Sequence, residues 1–152
     1  MDIRETKKFL RRYESNQIRV EHMQNELDEK RERLDNISSS RLTGMPREGI
    51  PVTKEDLIAD IDILERRLAK IIAKGRILKE ELLFVIDDVG DPKLCRVLEL
   101  YYIDFLTLEK IAEKMNYSYR HIQTLYQQAL NSIIPPNKVT SGLSITNQTA
   151  DA

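Results

Sequence analysis

Two long segments of the chain carry apolar side chains at a seven-residue spacing, and this repeat constrains the fold more than any other feature. Neither segment contains proline, and the first contains no glycine. A seven-residue apolar repeat is typical of a helix that packs along its length against another helix. In the first segment it predicts a helix from Asp2 to about Ile37. Its a positions are Tyr13, Val20, Leu27 and Leu34, and its d positions include Phe9, Met23 and Ile37.

Asn16 and Lys30 occupy d positions of the same repeat and interrupt its apolar seam. Polar residues at such positions weaken the packing of a coiled coil but fix its register or its choice of partner. Alternatively, the helix lies at the edge of a bundle, with these two side chains at its solvated margin. The sequence leaves both interpretations open.

The second repeat predicts a helix from Lys54 to about Ile86, with Thr53 as its N-cap. Gly75 occupies an a position, where it permits either close approach of a neighbouring helix or a bend. The two helices have similar lengths, which suggests an antiparallel hairpin. The same pattern could also join two subunits, and the apolar stripe, widened by Ile58, Ile72 and Ile86, indicates that both happen. The repeat is formed at d by Leu57, Leu64, Ile71, Leu78 and Val85, and at a by Ile61, Leu68 and Leu82.

Breaks in the pattern divide the chain into three parts. Residues 38–53 contain two Gly and two Pro, and they are predicted to be a flexible linker inside an N-terminal coiled-coil or oligomerisation region, residues 1–90. Residues 91–134 are predicted to form a small helical domain. Residues 135–152 have no core pattern and are predicted to be a disordered tail. The expected fold class is all-α: a long helical hairpin or coiled coil followed by a small C-terminal domain.

Charge and cysteine content limit the compartment and the partners. The chain carries 24 basic and 25 acidic residues, a formal net charge of −1, so composition alone does not indicate a polyanionic partner. Cys95 is the single cysteine, which excludes an intramolecular disulfide and favours a reducing compartment. No apolar stretch reaches the length of a membrane span. We therefore expect a cytoplasmic protein with no membrane partner.

The sequence carries no pattern typical of catalysis. His22 and His121 lie far apart, and neither has Cys or carboxylate residues at metal-ligand spacing. A glycine-rich phosphate-binding loop is also missing from the sequence. We predict a protein that is not an enzyme, with no catalytic residues, metal, cofactor or small-molecule substrate.

Residues 107–130, TLEKIAEKMNYSYRHIQTLYQQAL, have the pattern of a helix-turn-helix. Thr107 is expected to cap a two-turn helix, Asn116 to reverse the chain in the left-handed conformation, and Ser118 to cap the next helix. Ala112 is small enough to let the two helices cross closely. The residues expected to face inward are Leu108, Ile111, Ala112 and Met115 on the first helix and Ile122, Leu125 and Ala129 on the second.

At these residues the chain resembles two kinds of transcription protein. The run LTLEKIAEKMNYSYRHIQTLYQQAL resembles region four, the promoter-reading C-terminal domain of bacterial sigma factors. It is more similar still to phage late-gene transcription activators of the ArpU and RinA kind, which join a charged helical N-terminal part to such a helix-turn-helix. The detailed match covers roughly residues 94–133, and YYIDFLTLEKIAEKMNYS is its specific part. The resemblance implies a phage or prophage regulator that activates packaging or lysis genes in a bacterial host cell.

The resemblance also implies which residues contact DNA. Arg120 stands where sigma factors often have an acid, so we do not expect binding to the usual sigma promoter element. Arg120 suits guanine and Gln123 suits adenine, and Tyr119 is the only nearby aromatic residue that we expect to point clearly outward. The residues implied to face the major groove are Tyr119, Arg120, Gln123 and Thr124, and those implied to contact phosphate are Ser118, His121, Gln127 and Lys110.

One such module has few basic residues and should bind DNA weakly on its own. Two linked modules would gain by effective concentration, so we expect a homodimer on double-stranded DNA, with host RNA polymerase as a further partner. Two rival functions stay open. One is a small phage packaging (terminase) subunit, which should form a ring of many copies. The other is a polymerase-binding adaptor that has no DNA specificity of its own.

Overall fold

The computed structural model describes residues 2–40 and 53–134, and every regular element in these ranges is an α-helix. The all-α class predicted from the sequence is therefore confirmed. No helix in the described ranges is long and apolar enough to cross a membrane. The predicted tail and residues 41–52 of the predicted linker lie outside the described residues. The helices are α1 (Ile3–Leu10), α2 (Arg12–Ser40), α3 (Lys54–Asp87), α4 (Pro92–Tyr102), α5 (Leu108–Met115) and α6 (Tyr119–Ser132).

The described residues form two compact units. The first unit combines the chain up to Glu14 with the chain from Leu78 onward, and the second unit is Ser15–Ile77. Both α2 and α3 contribute residues to each unit. The sequence predicts a boundary at residue 90 between an oligomerisation region and a C-terminal domain. The two compact units do not test this boundary, and it stays a prediction.

In the Ser15–Ile77 unit, α2 and α3 pack against each other within one chain. Arg31 donates a hydrogen bond to Glu65 at 2.8 Å, and the Asn16 amide donates to the Ile71 carbonyl at 3.1 Å. Early residues of α2 thus face late residues of α3, so the pair is an antiparallel hairpin. Its buried core consists of Val20, Met23, Leu27, Leu57, Ile61, Leu64 and Leu68, all of them positions of the predicted repeats.

The two polar residues of the first repeat have different surroundings. Asn16 is only 6% exposed, and its Oδ1 atom has no hydrogen-bond partner among the described residues. A Cβ atom at Gly75 would overlap that Oδ1 atom, and α3 continues through Gly75 without a break, so this glycine serves close approach rather than a bend. Lys30 is partly exposed, with its Nζ 4.0 Å from an Asp60 carboxylate oxygen. The buried-seam interpretation therefore holds for Asn16, and the solvated-margin interpretation holds for Lys30.

The predicted first helix is present, with two differences. It bends at Arg11, where α1 joins α2, and it continues to Ser40, three residues beyond the predicted end near Ile37. Leu10 is fully buried in the core of the first unit, although it does not belong to the seven-residue repeat. Tertiary packing of this side chain overrides the repeat before Arg11, and the predicted register holds from Asn16 onward.

The core of the first unit joins α1 and the end of α3 to the three C-terminal helices. Asp91 caps α4 by accepting from the Lys93 amide at 2.9 Å, Pro92 follows in the first turn, and Gly90 has a φ of +80°. The half-buried Cys95 thiol donates to the Ile86 carbonyl at 3.1 Å. The side chains with no exposed surface in this core are Leu10, Ile86, Val97, Leu98, Leu100, Ile111, Ile122 and Ala129.

Tyr102 and Tyr126 form a buried hydroxyl pair in this core. Their oxygens are 2.8 Å apart, and the residues are 1% and 6% exposed. Burial raises the pKa of both hydroxyls above the usual value, so both stay protonated at neutral pH and share the hydrogen bond.

Replacing Tyr126 by Phe is expected to lower the free energy of unfolding by about 1–2 kcal/mol, because it leaves the Tyr102 hydroxyl buried without this partner. The Tyr102→Phe/Tyr126→Phe chain should recover most of that loss, since removing both partners leaves neither hydroxyl unsatisfied. Urea unfolding of four chains measures the difference: the wild type, Tyr102→Phe, Tyr126→Phe and the double variant. A double variant whose loss equals the sum of the two single losses would contradict the pairing.

Candidate nucleic-acid interface

Three polar residues set the geometry of the turn between α5 and α6. Thr107 caps α5, and its Oγ1 accepts from the Lys110 amide at 3.4 Å. Asn116 ends α5 in the left-handed conformation, with φ 57° and ψ 42°. Ser118 caps α6, and its Oγ accepts from the His121 amide at 3.2 Å. The three local roles predicted from the sequence are confirmed.

The two helices meet in the core through small and apolar side chains. Ala112 is 6% exposed, and Ala129 has no exposed surface. Leu108 and Met115 are half-buried and pack against the same core. All the side chains predicted to face inward therefore do so, and those fully or almost fully buried are Ile111, Ala112, Ile122, Leu125 and Ala129.

The opposite side of α6 is polar and exposed. Arg120, Gln123, Thr124 and Gln127 are all exposed, and at 100° per residue their spacing of three, four and seven residues places them on one face. We call these four residues the outer face of α6. The Thr124 hydroxyl donates to the Arg120 carbonyl at 3.1 Å, which fixes its rotamer and leaves its methyl group and an oxygen lone pair free. Helix α6 contains no carboxylate, so nothing on it repels an anion.

The other residues predicted to contact DNA lie outside the outer face. The His121 ring packs edge-on against Tyr117, with centroids 4.8 Å apart, and this contact directs it toward the turn. Lys110 is exposed on α5. Ser118 is exposed, but its oxygen is already engaged as the cap of α6. Tyr119 is 43% exposed, as expected, and it lines a cavity beside the outer face.

This cavity has a volume of about 520 Å³ and lies in the first unit. Its most unusual lining residue is Phe105, which has a φ of 57°, a conformation that is costly for a bulky side chain. The Phe105 ring stacks on Tyr13 with centroids 5.7 Å apart, yet the residue is 42% exposed. Tyr119 is therefore not the only outward aromatic residue of this region. The sequence contains no signal for it, because a positive φ is ordinarily marked by Gly or Asn.

Charge distinguishes the cavity from the outer face of α6. Arg11 lines the cavity, where its guanidinium group donates a hydrogen bond to the Tyr101 hydroxyl, and this bond raises the pKa of the guanidinium group. The carboxylates of Glu14 and Glu109 line it as well. One cation against two carboxylates makes the cavity unsuitable for phosphate, whereas the aromatic walls suit an apolar or cationic side chain of a protein.

The described residues offer no candidate metal site. They include no group of three or more His, Cys, Asp or Glu side chains that could hold a metal ion. Comparisons with protein-family models, with curated proteins and with solved structures each find no match to this chain.

Proposed function

We propose that this protein is a DNA-binding regulator of transcription, in which α5, the turn and α6 form a helix-turn-helix. In this proposal α6 lies in the major groove. The observation that carries it is the outer face of α6, where Arg120 and three polar side chains are exposed on a helix without carboxylates. Ala112, buried where α5 meets the core, and the left-handed turn at Asn116 support the assignment, because a helix-turn-helix needs close packing and a tight reversal there.

Each polar side chain of the outer face suits a different part of the DNA. The Arg120 guanidinium group would donate two hydrogen bonds to a guanine, and the Gln123 amide would pair with an adenine. The free Thr124 methyl group suits the methyl group of thymine. The Lys110 ammonium group, His121, Gln127 and the amides after Ser118 would bind phosphates and set the position of the helix.

The biological setting is also a proposal, and it rests on the resemblance of residues 94–133 to phage late-gene activators of the ArpU and RinA kind. The protein would act in the cytoplasm of a bacterial host as a homodimer that recruits RNA polymerase to phage or prophage promoters. Low charge supports the dimer, because α6 carries a single arginine and no lysine. One copy would therefore neutralise few phosphates.

Replacing Arg120 by Ala is expected to cost about 1–3 kcal/mol of discrimination at one base position and to leave the fold intact. The test is selection of bound sequences from a random duplex library at physiological salt, followed by titration of the selected site and of a variant site with that base changed. The wild-type chain should prefer the selected site. The Arg120→Ala chain should bind both sites with similar affinity.

Arg96→Ala is the matched control. It removes an exposed arginine from the same unit, but from α4, where Arg96 pairs with Glu99 at 3.3 Å. This chain should keep the selectivity of the wild type. Equal loss of selectivity in both variants, or a wild-type selection that recovers no motif, would count against sequence-specific binding by α6.

The polymerase-binding adaptor is the second candidate function, and the cavity beside Phe105 and Tyr119 favours it. Strained, exposed aromatic residues are typical of binding sites, and the two carboxylates favour a protein partner over DNA. If the library selection fails, capture of purified host RNA polymerase by the wild-type chain, lost on Phe105→Ser, would support the adaptor. A packaging subunit would instead be recognised by a ring-sized mass in solution.

A further inference from the structure

One face of α3 is exposed although it carries apolar side chains. Ile63 and Ile77 are 56% and 59% exposed, and Ala59 and Ala73 are exposed as well. Residues 59, 63, 66, 70, 73 and 77 alternate in steps of four and three, which is the spacing of a coiled-coil seam. We call this row the second seam of α3. All of it belongs to the Ser15–Ile77 unit, and it lies opposite the buried positions that face α2.

Charges along α3 are segregated. Residues 54–65 carry five carboxylates and one lysine, whereas residues 66–79 carry six cations and no carboxylate. The macrodipole of the helix does not account for this division, because its influence is confined to the first and last turns. The acids Asp60, Asp62 and Glu65 lie beyond the first turn, and the last turn of α3 contains no basic residue.

The hairpin partner does not account for the segregation either. The part of α2 beside the basic half, residues 12–26, carries two arginines and three glutamates. The part beside the acidic half, residues 27–37, carries three cations and four carboxylates. Two acids of α3 do pair with α2, Glu65 with Arg31 at 2.8 Å and Asp60 with Lys30 at 4.0 Å. Since both parts of α2 are nearly neutral, however, neither half of α3 meets a matching net charge within the hairpin. The acidic half and the basic half of α3 are instead complementary in charge to each other.

We propose that the second seam of α3 binds the second seam of another copy of this chain, with the two α3 helices antiparallel. A parallel pair would place like charges together, whereas an antiparallel pair places the acidic half of each helix on the basic half of the other. In each apolar layer, a large side chain then lies opposite a small one. Ile63 lies opposite Ala73 of the partner subunit, and Ala59 lies opposite Ile77 of the partner subunit.

The outer residues that flank the seam also match in this register, whereas Arg67 at its centre meets Arg67 of the partner subunit. Asp60 lies beside Lys74 of the partner subunit, and Asp62 lies beside Arg76 of the partner subunit, so the two-fold axis gives four opposite-charge pairs. Arg66 and Lys70 meet at the centre with like charge, although Arg66 already pairs with Asp62 of its own chain at 3.0 Å. These central cations make the dimer weak and sensitive to charge. The proposal stands on α3 alone and needs no DNA binding.

The test is the mass of the full-length chain in solution, measured by analytical ultracentrifugation without DNA. The wild type should dimerise, and both Asp60→Lys/Asp62→Lys and Lys74→Glu/Arg76→Glu should weaken the dimer by about 30-fold or more. The chain that carries all four changes should dimerise again, since every pair is restored with its signs exchanged. Circular dichroism checks that each chain stays helical.

Cysteine crosslinking tests the direction of the helices. In a Cys95→Ser chain, Ile63→Cys/Ala73→Cys should oxidise to a covalent dimer, whereas either single cysteine should not. Crosslinking of the single cysteines would indicate a parallel pair and overturn the proposal. A wild-type chain that is monomeric at about 100 µM, or a fourfold variant that does not recover the dimer, would overturn it too. Failure of the DNA selection would leave it standing.

Discussion

Replacing Ala112 by Leu is expected to destabilise the first unit by about 3 kcal/mol and to abolish DNA binding. Ala112 is 6% exposed in the core that α5 shares with α6, and neighbouring Ile111 has no exposed surface at all. Three added carbons have no space there, and overpacking of a filled core costs about 1–3 kcal/mol. A loss of this size would lower the melting temperature by roughly 10–20 °C in a unit of this length.

Glu113→Leu is the control for this change. It introduces the same side chain one residue further along α5, at an exposed position, and it should change the melting temperature only slightly. Thermal melts of both chains, followed by binding to the selected DNA, separate folding from recognition. An Ala112→Leu chain that melts like the wild type would show that the core has room at this position.

Gly75→Ala is expected to have opposite effects in two backgrounds. In the wild type it should lower the free energy of unfolding by about 1–2 kcal/mol, because the new methyl group overlaps the Asn16 side chain and the well-packed hairpin has to shift. In an Asn16→Ala chain this overlap is gone, and the remaining close neighbour, Gln17 Nε2 at 3.3 Å, is the end of a flexible side chain that can shift. There the same substitution should stabilise the protein by about 1 kcal/mol, since Ala is the better helix former.

Urea unfolding of the four chains of this double-mutant cycle gives the coupling between the two residues, expected at about 2–3 kcal/mol. Ala69→Gly is a useful control, because it makes the reverse change at an exposed position of α3 and should cost about 1 kcal/mol in either background. If Gly75→Ala had the same effect with and without Asn16, the close approach would not determine how the hairpin packs.

Local patterns allowed much of this fold to be predicted. The apolar repeat gives the core positions of the hairpin, such as Leu57 and Leu64, because burial along a helix pair follows the seven-residue period. Caps are equally local, and Thr107 and Ser118 lie where their hydroxyl groups satisfy free amides. Leu10 could not be predicted, since its burial depends on helices more than eighty residues further along the chain.

The candidate site was predictable only in part. The outer face of α6 follows from helical spacing once the cap at Ser118 is identified. The direction of His121 depends on its contact with Tyr117, and the exposure of Phe105 depends on a backbone conformation that its residue type disfavours. The repeat identifies Asn16 as an interruption of the seam, but its fit against Gly75 depends on the register of two helices, which one sequence pattern does not give.

The burial of Leu10 has a consequence for the order of events during synthesis. Its side chain belongs to the same core as Ile122, Ala129 and Ile133, so the first unit closes only after the ribosome has passed these residues. The hairpin residues 15–77 are complete much earlier and have only local partners to find. We expect them to fold first, and we expect folding of the first unit to be limited by this late closure.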